Sequence, residues 1–157
     1  MVVNDKEFEV IELLGKGKGG YSYLVKREGT FFVLKQIHHE PCDYYQFSDK
    51  LASELNDYSR LLKAGVVMPE LYEVDRERER ILKQYIPGKT VKELGSISAD
   101  IYRQIKELAD SLKKQGLNID YYPTNFIYYN NQLYYIDYEC NDYLAEWDYD
   151  NWGKQYW

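Results

Sequence analysis

Asp120-Tyr-Tyr-Pro-Thr-Asn125, together with Asp137 just past the run Gln132-Leu-Tyr-Tyr-Ile136, sets the expectations for the rest of this chain. The runs Asn125-Phe-Ile-Tyr-Tyr129 and Gln132–Ile136 flank Asn130-Asn131, which predicts a β-hairpin with an Asn-rich turn. Such a hairpin carries Asn125 and Asp137 at one end, with Asp120 in the loop before it. An amide and a carboxylate held together can bind Mg²⁺, and a further carboxylate can orient a hydroxyl. Phosphoryl transfer needs both. Taken singly, each residue has a plainer explanation, Asp120 as a turn former ahead of Pro123 and Asp137 as a strand-end Asp. Those explanations leave the combination with Asn125 unaccounted for.

Upstream, Glu9-Val-Ile-Glu-Leu-Leu14 reads as a strand, Gly15-Lys-Gly-Lys-Gly-Gly20 as a loop, and Tyr21-Ser-Tyr-Leu-Val-Lys26 as a second strand. Gly15, Gly17 and Gly20 are expected to permit positive φ and to let backbone N–H groups approach phosphates. A dinucleotide-binding loop would lead into a helix, and the β-rich run from Tyr21 argues against one. An ordinary Gly-rich hairpin turn stays open. Phe31-Phe-Val-Leu-Lys-Gln-Ile37 is a third β-like run containing Lys35. An ammonium inside an apolar strand is costly unless paired; the alternative is a lysine on the solvent face of an edge strand.

From 43 to 64, apolar residues recur at Tyr44, Phe47, Leu51, Leu55, Tyr58 and Leu62, which predicts a helix capped by Asp43 and stopped by Gly65. Glu54 falls on the edge of that stripe, where it either reaches inward or is solvated. Residues 70–75 and 80–86 read as a hairpin around the solvated turn Arg76-Glu-Arg-Glu79, and Pro87-Gly88 ends it. A second helix is expected from Ser98 to Gln115, buried through Ile101, Ile105, Leu108 and Leu112 and ended by Gly116.

Taken in order from about Glu9 to Glu139, these motifs resemble the protein-kinase-like superfamily. Val33-Leu-Lys35 resembles its strand lysine, and Asp120 to Asn125 resembles its catalytic loop. Asp137-Tyr-Glu139 is similar to the D-[WFY]-E of aminoglycoside-phosphotransferase-like proteins rather than to D-F-G. The match is thus to a compact, bacterial-style, atypical branch. Asn118 stands where the family has a His or a similar residue. The resemblance implies an α+β fold, with an antiparallel β-sheet N-lobe carrying one helix and a reduced, mostly helical C-lobe. It implies one kinase-like domain over 1–157, with the N-lobe at 1–86 and a truncated C-lobe at 87–157.

It also implies ATP and Mg²⁺ as ligands. Gly15, Gly17 and Gly20 would cover the phosphates. Lys35, paired with Glu54, would hold the α- and β-phosphates. Backbone groups near Gln84 and Ile86 would meet the adenine edge, with Lys83 near the gatekeeper position, where an apolar residue is usual. Asn125 and Asp137 would bind the metal, and Asp120 would act with Lys35 in catalysis on a hydroxyl of a protein Ser/Thr or a small molecule.

Two departures stand out. Tyr122 occupies the place of a cation that touches the γ-phosphate. Only twenty residues follow Asp137, which leaves no room for an activation segment or the usual C-lobe helices. These departures favour an alternative, a nucleotide-binding regulator or slow ATPase working with a protein partner. A third possibility is a non-enzymatic interaction domain, which would leave the Asp120/Asn125/Asp137 set unexplained.

Composition narrows the field. At 157 residues the chain can bury ~70% of its unfolded surface. The formal charge of −6 argues against a nucleic-acid surface. No apolar run approaches the length of a membrane span, and the N-terminal residues do not read as a signal peptide. Cys42 and Cys140 are too few for a disulfide framework, so a reduced, cytoplasmic setting is expected. His38-His39 near Cys42 fits no zinc spacing. The tail from Glu139 carries Trp147, Trp152 and Trp157 among acidic residues, and is expected to close the exposed flank of the small C-lobe rather than to bind a partner.

Overall fold

The computed structural model describes residues 1–41 and 49–157. In chain order the elements are β1 (Val2–Val3), β2 (Lys6–Glu7), β3 (Glu9–Lys16), β4 (Gly20–Arg27), β5 (Thr30–Ile37), α1 (Lys50–Lys63), β6 (Leu71–Asp75), β7 (Arg80–Gln84), α2 (Val91–Leu94), α3 (Ala99–Lys114), β8 (Leu117–Asn118), β9 (Phe126–Tyr129), β10 (Gln132–Tyr135) and β11 (Asn141–Asp142). A 3-10 turn at Pro123–Asn125 precedes β9, and two more, Ala145–Trp147 and Gly153–Tyr156, shape the tail. The chain divides into two compact units, Met1–Ser53 with Pro69–Tyr85, and Glu54–Met68 with Ile86–Trp157.

The first unit is an antiparallel sheet in the order β3-β4-β5-β7-β6. Because side chains alternate across a sheet, its register decides which residues share a face. Ser22 lies opposite Lys35, Lys35 opposite Ile81, and Val33 opposite Lys83. Lys35 and Lys83 therefore share one face. The opposite face contributes Val25, Leu34 and Leu82, which pack with Val3 and Phe8 of the N-terminal segment. The charged turn after β6 is fixed by Asp75, whose carboxylate accepts the N–H groups of Arg78 (3.0 Å) and Asn4 (2.9 Å).

The second unit packs α3 against the hairpin of β9 and β10. Ser98 caps α3 through the N–H of Ile101, and Ile101, Ile105, Ala109 and Leu112 form its buried face. Ala109, not Leu108, completes that stripe; Leu108 is only partly buried. Asn130 and Asn131 both take left-handed φ, 49° and 60°, which matches the twist of the two strands they join. Gly65 has φ 80°. Its N–H bonds to Leu62 O and that of Val66 to Leu61 O, a pattern that closes the end of α1.

Two expectations are corrected, and one falls outside the described residues. The helix cap at Asp43 and the apolar positions Tyr44 and Phe47 lie outside the described residues. The described helix begins at Lys50, where Asp49 Oδ1 accepts the N–H of Ala52 (2.8 Å). Its buried stripe runs Leu51, Glu54, Leu61, whereas Leu62 is 58% exposed. Glu54 thus sits within the stripe rather than at its edge. A count of apolar residues alone gives the wrong phase, because a carboxylate occupies a core position. Gly15, Gly17 and Gly20 do not take the expected positive φ, and of the loop glycines only Gly20 is required by space.

Candidate functional site

In the first unit, the loop between β3 and β4 closes through Gly17 N–H to Gly20 O, 2.9 Å. Gly20 is required by space. A Cβ there would stand 2.4 Å from the carbonyl O of Gln36 and 3.2 Å from Lys35 Cε. A Cβ on Gly15, at the end of β3, would meet nothing within 4 Å. The Lys35 side chain runs beneath this turn, with Nζ 3.8 Å from where a Gly19 Cβ would be. A lysine side chain beside a glycine turn has the chemistry to meet an anion. Gln84, at the end of β7, donates its N–H to Glu70 O (2.8 Å). Lys83 is 5% exposed and shares its face of the sheet with Lys35.

Two residues not foreseen from the sequence hold the glycine loop. His38 donates its N–H to Gly19 O (3.2 Å), and its Nε2 lies 2.9 Å from Gly17 O. Lys50 Nζ, buried at the start of α1, donates to His38 O (2.7 Å) and to Lys18 O (3.4 Å). His39 instead meets Glu79, Nε2 to Oε2 2.6 Å. The sequence offered only the adjacency of the two histidines. His38 meets its partners through the pairing of β4 with β5, and His39 through the return of β7 beside β5.

In the second unit, Asn125 O accepts the N–H of Ile136 (2.9 Å), which sets Asn125 beside the residue preceding Asp137. Asn125 Nδ2 donates to Asp120 O (3.3 Å), and Asp120 Oδ1 accepts the N–H of Tyr122 (3.1 Å). Asp120, Asn125 and Asp137 are each neither fully buried nor fully exposed. Burial pushes the Tyr135 phenol well above its ordinary value, and the charges of Asp137, Glu139 and Asp120 push the same way. Ile86 and Glu54 are both buried in this unit.

The segment after Asp137 is anchored to α1. The rings of Tyr58 and Tyr138 lie 4.6 Å apart, and Cys140 N–H donates to Asp57 Oδ2 (3.4 Å). Desolvation raises the Asp57 carboxyl above its usual value and pushes the Cys140 thiol up to about 11. From the tail, Trp157 Nε1 donates to Tyr121 O (2.6 Å), and its ring packs edge-on against Phe126 at 5.0 Å. A Cβ on Gly153 would meet Tyr121 Cβ at 2.6 Å. Tyr149, Tyr156 and Trp157 pack on the loop that carries Asp120, whereas Trp147 is 51% exposed.

Among the described residues, no group of three or more His, Cys, Asp and Glu side chains is placed to hold a metal. A softer or fully protein-caged ion is poorly matched to Asn125 and Asp137. Their oxygens suit Mg²⁺, which takes one or two protein ligands and completes its shell with water and phosphate.

The fold, an antiparallel sheet unit and a second unit built on few helices, is protein-kinase-like. Rio2 kinase of Chaetomium thermophilum, solved as an ADP/Mg²⁺-phosphoaspartate complex, shares it at a TM-score of 0.61 and 17% identity, over 94% of this chain and 51% of that one. In sequence, the chain is similar to a probable bifunctional tRNA threonylcarbamoyladenosine biosynthesis protein of Methanocaldococcus jannaschii, 33% identical over 107 residues. That match takes in 68% of this chain but only 20% of the relative. No protein-family model matches the chain. No helix among the described residues is long and apolar enough to cross a membrane.

Proposed function

We propose that the chain is a kinase-like phosphotransferase that uses ATP and Mg²⁺ and passes the γ-phosphate to a hydroxyl of a protein Ser/Thr or a small molecule. The observation that carries this reading is the meeting of Asn125 with the Ile136–Asp137 segment beside Asp120, at one end of the hairpin. The 1–86 and 87–157 portions would act as the N- and C-lobes of one catalytic domain. Gly15, Gly17 and Gly20 would cover the phosphates, Lys35 with Glu54 would hold the α- and β-phosphates, and backbone at Gln84 and Ile86 would take the adenine. Mg²⁺, when bound by Asn125 and Asp137, screens phosphate charge. Asp120 receives the proton of the attacking hydroxyl as its oxygen bonds to the γ-phosphorus and the bond to the β-phosphate breaks, its electron pair leaving on ADP. The setting would be cytoplasmic, without a nucleic-acid or membrane partner.

A second reading is a nucleotide-binding regulator or slow ATPase acting with a protein partner. It is favoured by the likeness to about a fifth of a protein named as bifunctional. Two variants separate them. Asp137→Asn should abolish Mg²⁺-dependent nucleotide binding in either case. Asp120→Asn should leave binding intact and, in a transferase, lower turnover by ~10²–10⁴-fold. Wild-type transfer by Asp120→Asn to an identified acceptor would sink the transferase reading of this residue.

A further inference from the structure

The loop from Asp120 to Asn125 contains no basic residue. A phosphoryl group in transit is anionic, and Asp120 and Asp137 place more negative charge beside it. Transfer at this site asks for a positioned cation besides the metal. A cation stands at the Tyr122 ring, two residues along the loop from Asp120, brought from a sequence-distant element. Lys92, on α2, holds its Nζ 5.5 Å from the centroid of the Tyr122 ring.

The Tyr122 ring and the backbone that carries Lys92 are both held in place. The Tyr122 N–H is bonded to Asp120 Oδ1, and its ring packs edge-on against Tyr156 at 5.1 Å. The turn bearing Lys92 is pinned on either side of its backbone. Thr90 and Glu93 form a reciprocal capping box, and Val91 is 2% exposed in the core. Thr90 also bridges to Ile127 of β9, in the hairpin that ends at Asn125 and Asp137. An aromatic face attracts an ammonium without neutralising it, so the charge stays available to an anion. Tyr122, which looked like the loss of a cation, is in place a platform for one.

We infer that Lys92 is the cation that stabilises the transferred phosphoryl group at Asp120, an inference that rests on the phosphotransferase reading above. Lys92 neither gives nor takes a proton. The acceptor oxygen bonds to phosphorus, the bond to the β-phosphate breaks with its electrons leaving on ADP, Asp120 takes the hydroxyl proton, and the ammonium balances the charge on the equatorial oxygens.

The test uses the full chain and measures MgADP affinity with and without aluminium fluoride, a planar stand-in for the phosphoryl group in flight, alongside ATP turnover to ADP. Wild type should bind MgADP more tightly with the fluoride present. Lys92→Met should lose most of that tightening and lower turnover at least about tenfold, while MgADP alone binds as in wild type. Lys92→Arg should restore both. Lys89→Met, the same charge change at an exposed neighbour, should match wild type. If Lys92→Met keeps the full tightening, or weakens MgADP itself by the same factor, the role assigned to Lys92 is overturned while the phosphotransferase reading stands. Wild type that binds MgADP but gains nothing from the fluoride overturns it too. Wild type that binds neither nucleotide overturns the underlying reading, and this inference falls with it.

Discussion

Replacing Gly20 by Ala should be the most damaging change in the glycine loop, and the reason is local. The added Cβ would stand 2.4 Å from Gln36 O and 3.1 Å from Gln36 C, both backbone atoms of β5 paired with β4. That is about 1 Å inside ordinary van der Waals contact. Neither strand can retreat without stretching the ladder between them. Overpacking of this kind costs ~1–3 kcal/mol, offset by ~0.4–1 kcal/mol from a stiffer unfolded chain. A net loss of about 1–2 kcal/mol corresponds to a fall in Tm of roughly 2–8 °C for a chain of this size. Gly15→Ala, with nothing within 4 Å, should leave Tm unchanged or slightly raised, and Gly19→Ala meets only the mobile end of Lys35 at 3.8 Å. The assay is a thermal melt of the variants without nucleotide, then a MgATP titration. Gly20→Ala should also weaken nucleotide binding, because its Cβ presses on Lys35 Cε. A Gly20→Ala protein melting with wild type, or a Gly15→Ala protein falling as far, would refute the steric account of this loop.

MgATP itself should raise Tm, by an amount corresponding to ~2.7 kcal/mol at a hundred times its Kd; no shift at millimolar nucleotide would count against every nucleotide-binding reading. Trp157→Phe keeps a ring on Phe126 but deletes the donor to Tyr121 O, so it should cost about 1 kcal/mol, seen as a lower denaturant midpoint with an unchanged slope. Asp100 accepts bonds from Tyr128, Arg103 and Gln104, which hold its carboxyl down to about 2. Its stabilisation is full above about pH 4, the unfolded value, and fades as pH falls through the folded one. Carbon-detected NMR should place its midpoint near that lower value, and Asp100→Asn should remove this part of the acid loss of stability.

The sheet and the second hairpin were legible because their signals are local. Period-two runs, paired Asn residues in the turn and a capping Ser ahead of α3 each act within a few residues. The phase of α1 was not, because Glu54 occupies a buried position that any apolar count skips. The supports of the glycine loop were hidden for a different reason. His38 and Lys50 act through backbone carbonyls at Gly17, Lys18 and Gly19, and carbonyls leave no trace in a residue pattern. The same holds for Tyr121 O and Trp157.

Lys92 shows what this means for reading a site by its motif. A sequence motif records which residue types stand near each other along the chain, whereas chemistry needs charges near each other in space. Where a chain drops an expected cation from the motif, the missing charge can return from another element, provided something holds it there. On the inference drawn for Lys92, the residue that displaced the cation does the holding. Tyr122 offers the ring face, and Thr90, Val91 and Glu93 fix the turn from which Lys92 reaches it. A departure from a motif is therefore weak grounds for calling a site inactive until the space around the departing side chain has been searched for its replacement.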